Sequence, residues 1–398
     1  MRILQINSVY NIGSTGMICR SIAEALNAGR HEATTLYGRW PVQRSLPYAQ
    51  YFGNQLSTYF HVGMTRLFDR HGLHSNGNTK KCIHLIEDFA PDLIHLHNIH
   101  GYYLNYKLLF DFFKSYNRPV VWTLHDCWPF TGHCPHFTKS GCEKWRTLCG
   151  HCPSLWDYPA SWLIDRSEKN FIDKSEYFVG VKNLTLAAPS QWLADLTRAS
   201  FLKDYPAVVI PNGIDVKHVQ GTTDPALRKE IARGKNYVFL AVAGIWDSRK
   251  NLQAVNKVAD HFKEVASTVV VGKIKGFPGQ LSENVFHIPR TYDRQYLMSL
   301  FASADLFINP TLEDNYPTVN LEAVANRLPV ITFDTGGSRA AMMDYGAVIQ
   351  QNTSRSLINT IEMWLAGELD VGSPPSLDKI DHRNMVRKYI ELYENIIT

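Results

Sequence analysis

The sequence predicts an α/β protein made of two Rossmann-like, doubly wound parallel-sheet domains. Three observations carry this. Short apolar β-type runs alternate with helical patterns through the first half. The alternation breaks around Pro211-Asn212-Gly213 and then starts afresh. Strands separated by helices form βαβ units, whose parallel sheets are covered on both faces. The length, 398 residues, suits two or three domains at roughly 150 residues each.

Taken in order, residues 2–7 (RILQIN) read as the first strand. A Gly/Ser loop through Gly16 follows, then a helix with Ile18, Ile22, Ala25 and Leu26 on one face. Further strands are expected at 33–37, 92–97, 120–125 and 184–188. After the break, strands are expected at 237–243, 268–271, 285–288, 305–309 and 330–333, with helices at 251–264, 293–302 and 318–326. SPPS at 373–376 is a breaker, and 377–397 reads as one amphipathic helix. The expected domains are 1–205 for the acceptor, with a cysteine-rich insertion at 127–160, and 206–375 for the donor. The helix in 376–398 is expected to return to the first domain.

Bulk properties narrow the function. A net charge of +4 and a pI near 8.5 are compatible with anionic substrates or an anionic membrane surface. They are too weak to argue for nucleic acid. The start of the chain lacks the pattern of a secretory signal, and no apolar run approaches the ~18 residues of a spanning helix. A cytoplasmic protein is expected, and seven cysteines, an odd number, argue against a disulfide framework there.

Several constellations can carry chemistry. In GIWDSRKN (244–251) a buried-type strand runs into a helix start, where free N–H groups and Arg249 and Lys250 would hold phosphate. In PTLEDNYPTVNLEA the carboxylates of Asp314 and Glu322 are separated by seven residues. Asp314 sits on a loop after a strand and Glu322 in the next helix, where carboxylates can accept from sugar and ribose hydroxyls. A diphosphate needs cations and polyols need acceptors, so the pattern points to an enzyme that moves an activated sugar. Gly13-Ser14-Thr15-Gly16 permits close approach of backbone to a ligand but is neither a dinucleotide fingerprint nor a P-loop. His125, at the end of a strand, would face the second domain across a cleft. His95, His97 and His100 have no acidic partner at ligand spacing.

Cys134, Cys142, Cys149 and Cys152 lie within nineteen residues and end in Cys-x-x-Cys. Four thiolates suit a structural zinc, which would leave no open position for catalysis. Reduced buried thiols and a redox role are the alternatives. Segment 38–78 is rich in aromatic residues and carries Arg39, Arg44, Arg66 and Arg70. It suits either contact with a lipid surface or cover for the first domain's core.

PNGID (211–215), the strand–RKN unit and PTLEDNYPTVNLEAVANRLPVITFDTGG (310–337) resemble the retaining GT-B glycosyltransferases with an E-x7-E motif. WTLHDCWPFTGHC, GCEKW and CGHCP in the first half resemble bacterial colanic-acid and O-antigen biosynthesis glycosyltransferases. The resemblance spans nearly the whole chain. It implies transfer of a hexose, with retention, from a UDP- or GDP-linked donor to an undecaprenyl-diphosphate-linked saccharide. That chemistry belongs to lipopolysaccharide or exopolysaccharide assembly at the cytoplasmic face of the inner membrane, with peripheral membrane contact, no catalytic metal and no nucleic acid. It also implies residue roles. Glu322 would bind the ribose, while Asp314 with the Asn315, Tyr316 and Pro317 backbone would hold the donor sugar. Arg249 and Lys250 would neutralise the diphosphate, His125 would lie against the sugar, and Gly16 would let its loop near the phosphates. The first acid is Asp rather than Glu, and Ile245 stands where the family often has Arg. A zinc-stapled nucleic-acid binder and a GT-B epimerase or phosphorylase are the alternative readings.

Overall fold

The computed structural model describes residues 1–41, 46–291 and 293–397. The chain divides into two compact units, Met1–Pro211 with Met385–Thr398, and Asn212–Asn384. Each is built on one parallel sheet.

In the first unit the strands are β1 (Arg2–Asn7), β2 (Glu32–Tyr37), β3 (Ala49–Tyr51), β4 (Leu93–Leu96), β5 (Val120–Thr123), β6 (Leu184–Ala188) and β7 (Ala207–Val209). Among the described residues they form a seven-stranded sheet in the order β3-β2-β1-β4-β5-β6-β7. Central strands β4 and β5 are buried at every position, as expected where helices cover both faces. Two apolar cores flank the sheet. One contains Leu96, Phe110, Trp122, Trp128 and Phe178. The other contains Ile3, Ile22, Leu26 and, from residues late in the chain, Tyr389 and Tyr393. Tyr393 Oη lies 2.6 Å from His95 Nδ1, and Tyr389 Oη lies 2.9 Å from Thr123 Oγ1. The late segment therefore contributes both apolar area and partners for buried polar atoms.

The second unit holds β8 (Tyr237–Trp246), β9 (Ala266–Ile274), β10 (Val285–Ile288), β11 (Leu306–Asn309), β12 (Val330–Phe333) and β13 (Gly346–Ile349), in the order β10-β9-β8-β11-β12-β13. Numbered within the unit this is 3-2-1-4-5-6, the doubly wound order. Its switch point lies between β8 and β11, where ligands of such sheets bind.

Several expected bounds shift. The strand expected at 120–125 stops at Thr123, which puts His125 on the loop beyond it. β8 runs on to Trp246 through an irregularity between Val242 and Ile245. There Gly272, at φ +126°, lets β9 pass where a Cβ would lie 1.7 Å from Ala243 O. The helix expected over 377–397 is broken into a 3-10 turn, Leu377–Lys379, and a helix, His382–Ile397. Asp381 is the reason. Its carboxylate accepts from the Arg383 N–H at 2.7 Å, as an N-cap does, and its backbone bridges to Ile214. Strands β3, β7 and β13 were not expected.

Candidate active site

The carboxyl ends of β8 and β11 bring together the charged groups singled out in the second half. Arg249 and Lys250 follow β8, and Asp314 follows β11. Lys250 Nζ lies 2.5 Å from Asp314 Oδ2, with both side chains about four-fifths covered. Two further bonds tie the loops. The Leu312 N–H donates to Arg249 O at 2.7 Å, and Asn251 Nδ2 donates to Pro310 O at 3.2 Å. The residues at the start of the Thr318–Ala325 helix are thereby held beside the cation pair.

Arg249 is not an open cation. Its guanidinium is paired with Asp247 at 2.8 Å, and Arg249 in turn holds the Asp247 carboxyl below the usual carboxylate range, against the upward push of burial. Arg249 and Lys250, the expected partners of a diphosphate, each rest against a carboxylate of the protein, Asp247 and Asp314. Asp247 was visible within GIWDSRKN but went unassigned.

Glu322 lies buried in the Thr318–Ala325 helix. Burial raises its pKa, and the Arg294 guanidinium, 2.9 Å from Oε1, offsets part of that rise. Arg294 opens the helix Arg294–Ala302 and is half exposed. It was missed because sequence spacing does not show which cation reaches a buried carboxylate 28 residues away.

Asn315, Tyr316 and Pro317 are buried. The Tyr316 ring belongs to the apolar core with Leu321 and Val324, and burial pushes its phenol up to about 12. That side chain is packing, so of Tyr316 the backbone alone remains for a ligand. The loop is shaped from behind by Gly336, at φ +58°, where a Cβ would lie 1.8 Å from Asp314 O. Gly336→Ala therefore meets both a left-handed strain and a backbone clash. It is expected to cost about 1–3 kcal/mol or more of stability, read as a lowered thermal midpoint. It should also displace Asp314 and lower activity.

In the first unit, Gly16 lies in the first turn of the helix Gly13–Ala28. A Cβ there would lie 3.0 Å from Asn11 N, so the loop packs tightly against Gly16. His125 Nε2 lies 3.1 Å from His97 Nδ1, and His97 Nε2 lies 3.1 Å from Gln5 Oε1. The Gln5 amide nitrogen donates to Cys19 O at 2.8 Å, which leaves Oε1 as the acceptor facing His97. Burial lowers the pKa of His97 and His125, His125 to about 4, so both are neutral near pH 7. The chain of donors then runs one way. His97 donates from Nε2, His125 donates from Nε2 to His97, and His125 Nδ1 is left as an acceptor. His100 Nε2 lies 2.8 Å from Asp126 Oδ2, an acidic partner that sequence spacing did not reveal.

Cys134, Cys142, Cys149 and Cys152 line one cavity with His133. The Cys134 thiol donates to Cys152, which holds Cys152 down to about 7 and Cys134 well above the usual thiol range. Among the described residues no group of three or more His, Cys, Asp or Glu side chains is arranged to hold a metal ion as it stands, these four included. No disulfide joins the cysteines in this structure.

Segment 38–78 is partly core and partly surface. Phe52 is core, whereas Trp40, Tyr59 and Phe60 are exposed, Tyr59 by 71%. Arg44 lies outside the described residues. Trp156, Trp162, Leu163 and Ile164 are exposed as well. The Trp162 N–H donates to Arg66 O at 2.7 Å and the Arg66 guanidinium lies 5.3 Å from the Trp162 ring, so the two segments adjoin. No helix among the described residues is long and apolar enough to cross a membrane.

Comparisons with known proteins give the family. The model of the family "Glycosyl transferases group 1" matches residues 224–383, and that of "Glycosyltransferase Family 4" matches residues 16–218, just over half of the chain. The chain is 27% identical over 358 residues to a protein of Escherichia coli K12 named as the colanic acid biosynthesis glycosyl transferase WcaC, covering 86% of this chain and 85% of that one. It is 28% identical over 144 residues to a Bacillus subtilis 168 protein named as the teichuronic acid biosynthesis glycosyltransferase TuaC, covering 35% and 36%. Sucrose-phosphate synthase from Thermosynechococcus elongatus superposes with a TM-score of 0.72 at 15% identity, covering 99% of this chain and 98% of that one. Anabaena HepE in complex with UDP and glucose superposes with a TM-score of 0.65 at 15% identity, covering 99% and 100%. Two parallel-sheet α/β units with these neighbours make a GT-B fold, and the chain belongs to glycosyltransferase family 4.

Proposed function

We propose that this glycosyltransferase moves a hexose, with retention of anomeric configuration, from a nucleotide sugar to a lipid-linked saccharide in bacterial surface-polysaccharide assembly. The observation that carries this reading is the Lys250–Asp314 pair at the β8/β11 switch point, with buried Glu322 in the helix that follows. Lys250 Nζ meets the departing diphosphate, and Asp314 and the Asn315–Pro317 backbone hold the sugar. Glu322 accepts from the ribose diol once Arg294 swings towards solvent. Arg249, steadied by Asp247, adds positive potential, and His125 lies against the donor sugar.

In the reaction the acceptor oxygen bonds to the anomeric carbon and the bond from that carbon to the diphosphate oxygen breaks. The hydroxyl proton passes to the departing phosphate. Fixed cations and backbone dipoles aimed at the developing charge supply the stabilisation. No metal is assigned to this step. The relative named for colanic acid biosynthesis supports the polysaccharide reading, and the neighbour solved with UDP and glucose supports a nucleotide-sugar donor.

The test is incubation of UDP-, GDP- and ADP-hexoses with a synthetic undecaprenyl-diphosphate-linked saccharide. Acceptor-dependent release of nucleoside diphosphate, and an anomeric NMR signal matching that of the donor, are expected. Epimerised donor, or turnover with phosphate as sole acceptor, would overturn the proposal.

The exposed aromatic residues near Arg39, Arg66 and Arg70 suit peripheral contact with an anionic leaflet on the cytoplasmic side. Each Arg near such a surface contributes about 1 kcal/mol. Replacing all three with Gln is expected to lower affinity for phosphatidylglycerol vesicles on the order of a hundredfold in flotation. Unchanged flotation would remove the membrane from the assignment.

A further inference from the structure

Residues 127–166 have little regular structure of their own. Among the described residues their helical content is two 3-10 turns, Trp128–Phe130 and Lys144–Arg146. Yet four cysteines spread over this segment face one cavity. Two backbone N–H groups are directed at sulfur. Gly132 donates to Cys149 Sγ at 3.2 Å, and Ser154 donates to Cys152. Gly132 is held to glycine by this closure, since a Cβ would lie 2.0 Å from Ser167 O and 2.8 Å from Cys149 Cβ. In the Cys149-Gly150-His151-Cys152 turn, His151 takes a left-handed conformation at φ +48°.

A separate observation points to a ligand. His133 is 2% exposed and lines the same cavity. Its Nδ1 lies 2.6 Å from Asp69 Oδ1, and its Nε2 is buried without a partner. A carboxylate behind an imidazole whose other nitrogen faces a thiol-lined cavity is the support found around thiolate metal centres. An orphaned buried nitrogen is otherwise costly.

We propose that Cys134, Cys142, Cys149 and Cys152 bind one zinc ion as thiolates and that this ion is a structural staple for the segment that follows His125. Thiolate softness and four protein ligands favour zinc in a closed tetrahedral site. Each thiol gives its proton to solvent as its sulfur takes up the metal. The Cys134-to-Cys152 hydrogen bond is replaced by shared ligation, and the four sulfurs must draw together to take the ion, since no ligating set stands ready as the side chains lie. His133 Nε2 then contacts the cluster. Lys174 Nζ donates to Trp128 O at 2.7 Å and Thr131 O at 2.9 Å beside it. The staple bears on the candidate active site through the turn at Trp128, whose N–H donates to Asp126 at 2.9 Å.

Protein purified without chelator and analysed by elemental mass spectrometry should carry one zinc per chain, as should protein incubated with zinc and desalted. X-ray absorption should show sulfur neighbours at about 2.3 Å. Cobalt exchange should give the intense visible bands of a tetrahedral cobalt thiolate. Cys142→Ser and the double variant C149S/C152S should lose the metal, and Cys82→Ala, altered in the α/β core, should keep it. Zinc far below one equivalent in the wild type after incubation would overturn the proposal. So would oxygen or nitrogen neighbours in place of sulfur, or a disulfide among the four mapped by peptide analysis. These readouts are independent of transfer, so failure here and failure of the glycosyl-transfer reading are told apart.

Discussion

Lys250→Ala is expected to lower kcat about a hundred- to a thousandfold while the protein stays folded. The argument rests on the difference between two environments. In the resting protein the ammonium is paired with Asp314, both side chains about one-fifth exposed, and losing that charged hydrogen bond costs about 1–3 kcal/mol of stability. In the reaction the same ammonium meets a diphosphate whose charge grows as the glycosidic bond breaks, where a fixed positive group is worth about 3–4 kcal/mol. Function and folding therefore separate. Circular dichroism should stay native with the melting midpoint lowered by a few degrees, and nucleoside diphosphate release should fall far more than that loss of stability explains. Near-normal turnover in a folded Lys250→Ala protein would remove Lys250 from the reaction.

Glu322→Gln should divide the two properties the other way. Burial raises the folded-state pKa of Glu322 above its unfolded value. The folded state thus holds the proton to higher pH than the unfolded chain, and stability is lost as pH rises through the folded value. A neutral amide escapes that loss, and half-exposed Arg294 can return to water. The variant should melt at or above the wild-type temperature at pH 7, and the gap should close towards acid pH. Donor binding should weaken, because an amide offers a ribose diol one acceptor where the carboxylate offers two. A charged hydrogen bond is worth about 1.5–3 kcal/mol, so donor KM should rise roughly ten- to a hundredfold with kcat less affected. A destabilised variant with unchanged donor KM would show Glu322 to be a structural acid.

Much of this was legible in the sequence where the signal is local. β1, β6, β10 and β12 fall where apolar runs put them. The short edge strands did not stand out. β13 is four residues and opens on Gly346, and β7 is three residues behind Pro206. Strands that short owe their existence to a neighbour's hydrogen bonds, not to a pattern of their own. Asp381 could have been read as a helix start, but amphipathic periodicity across it hid the break. At the site, the residues carrying charge were visible and their partners were not. Asp247 and Arg294 act through contacts that spacing does not encode. His97 reaches His125 because β4 and β5 are adjacent and parallel, a register no single sequence displays.

The membership of Met385–Ile397 in the first unit has a consequence for biosynthesis. Those residues are translated after the entire second unit, yet Tyr393 and Tyr389 supply the hydroxyls beside His95 and Thr123 at the centre of the first sheet. The earliest-made half of the polypeptide therefore leaves a hydrophobic seam uncovered until the helix His382–Ile397 has been made.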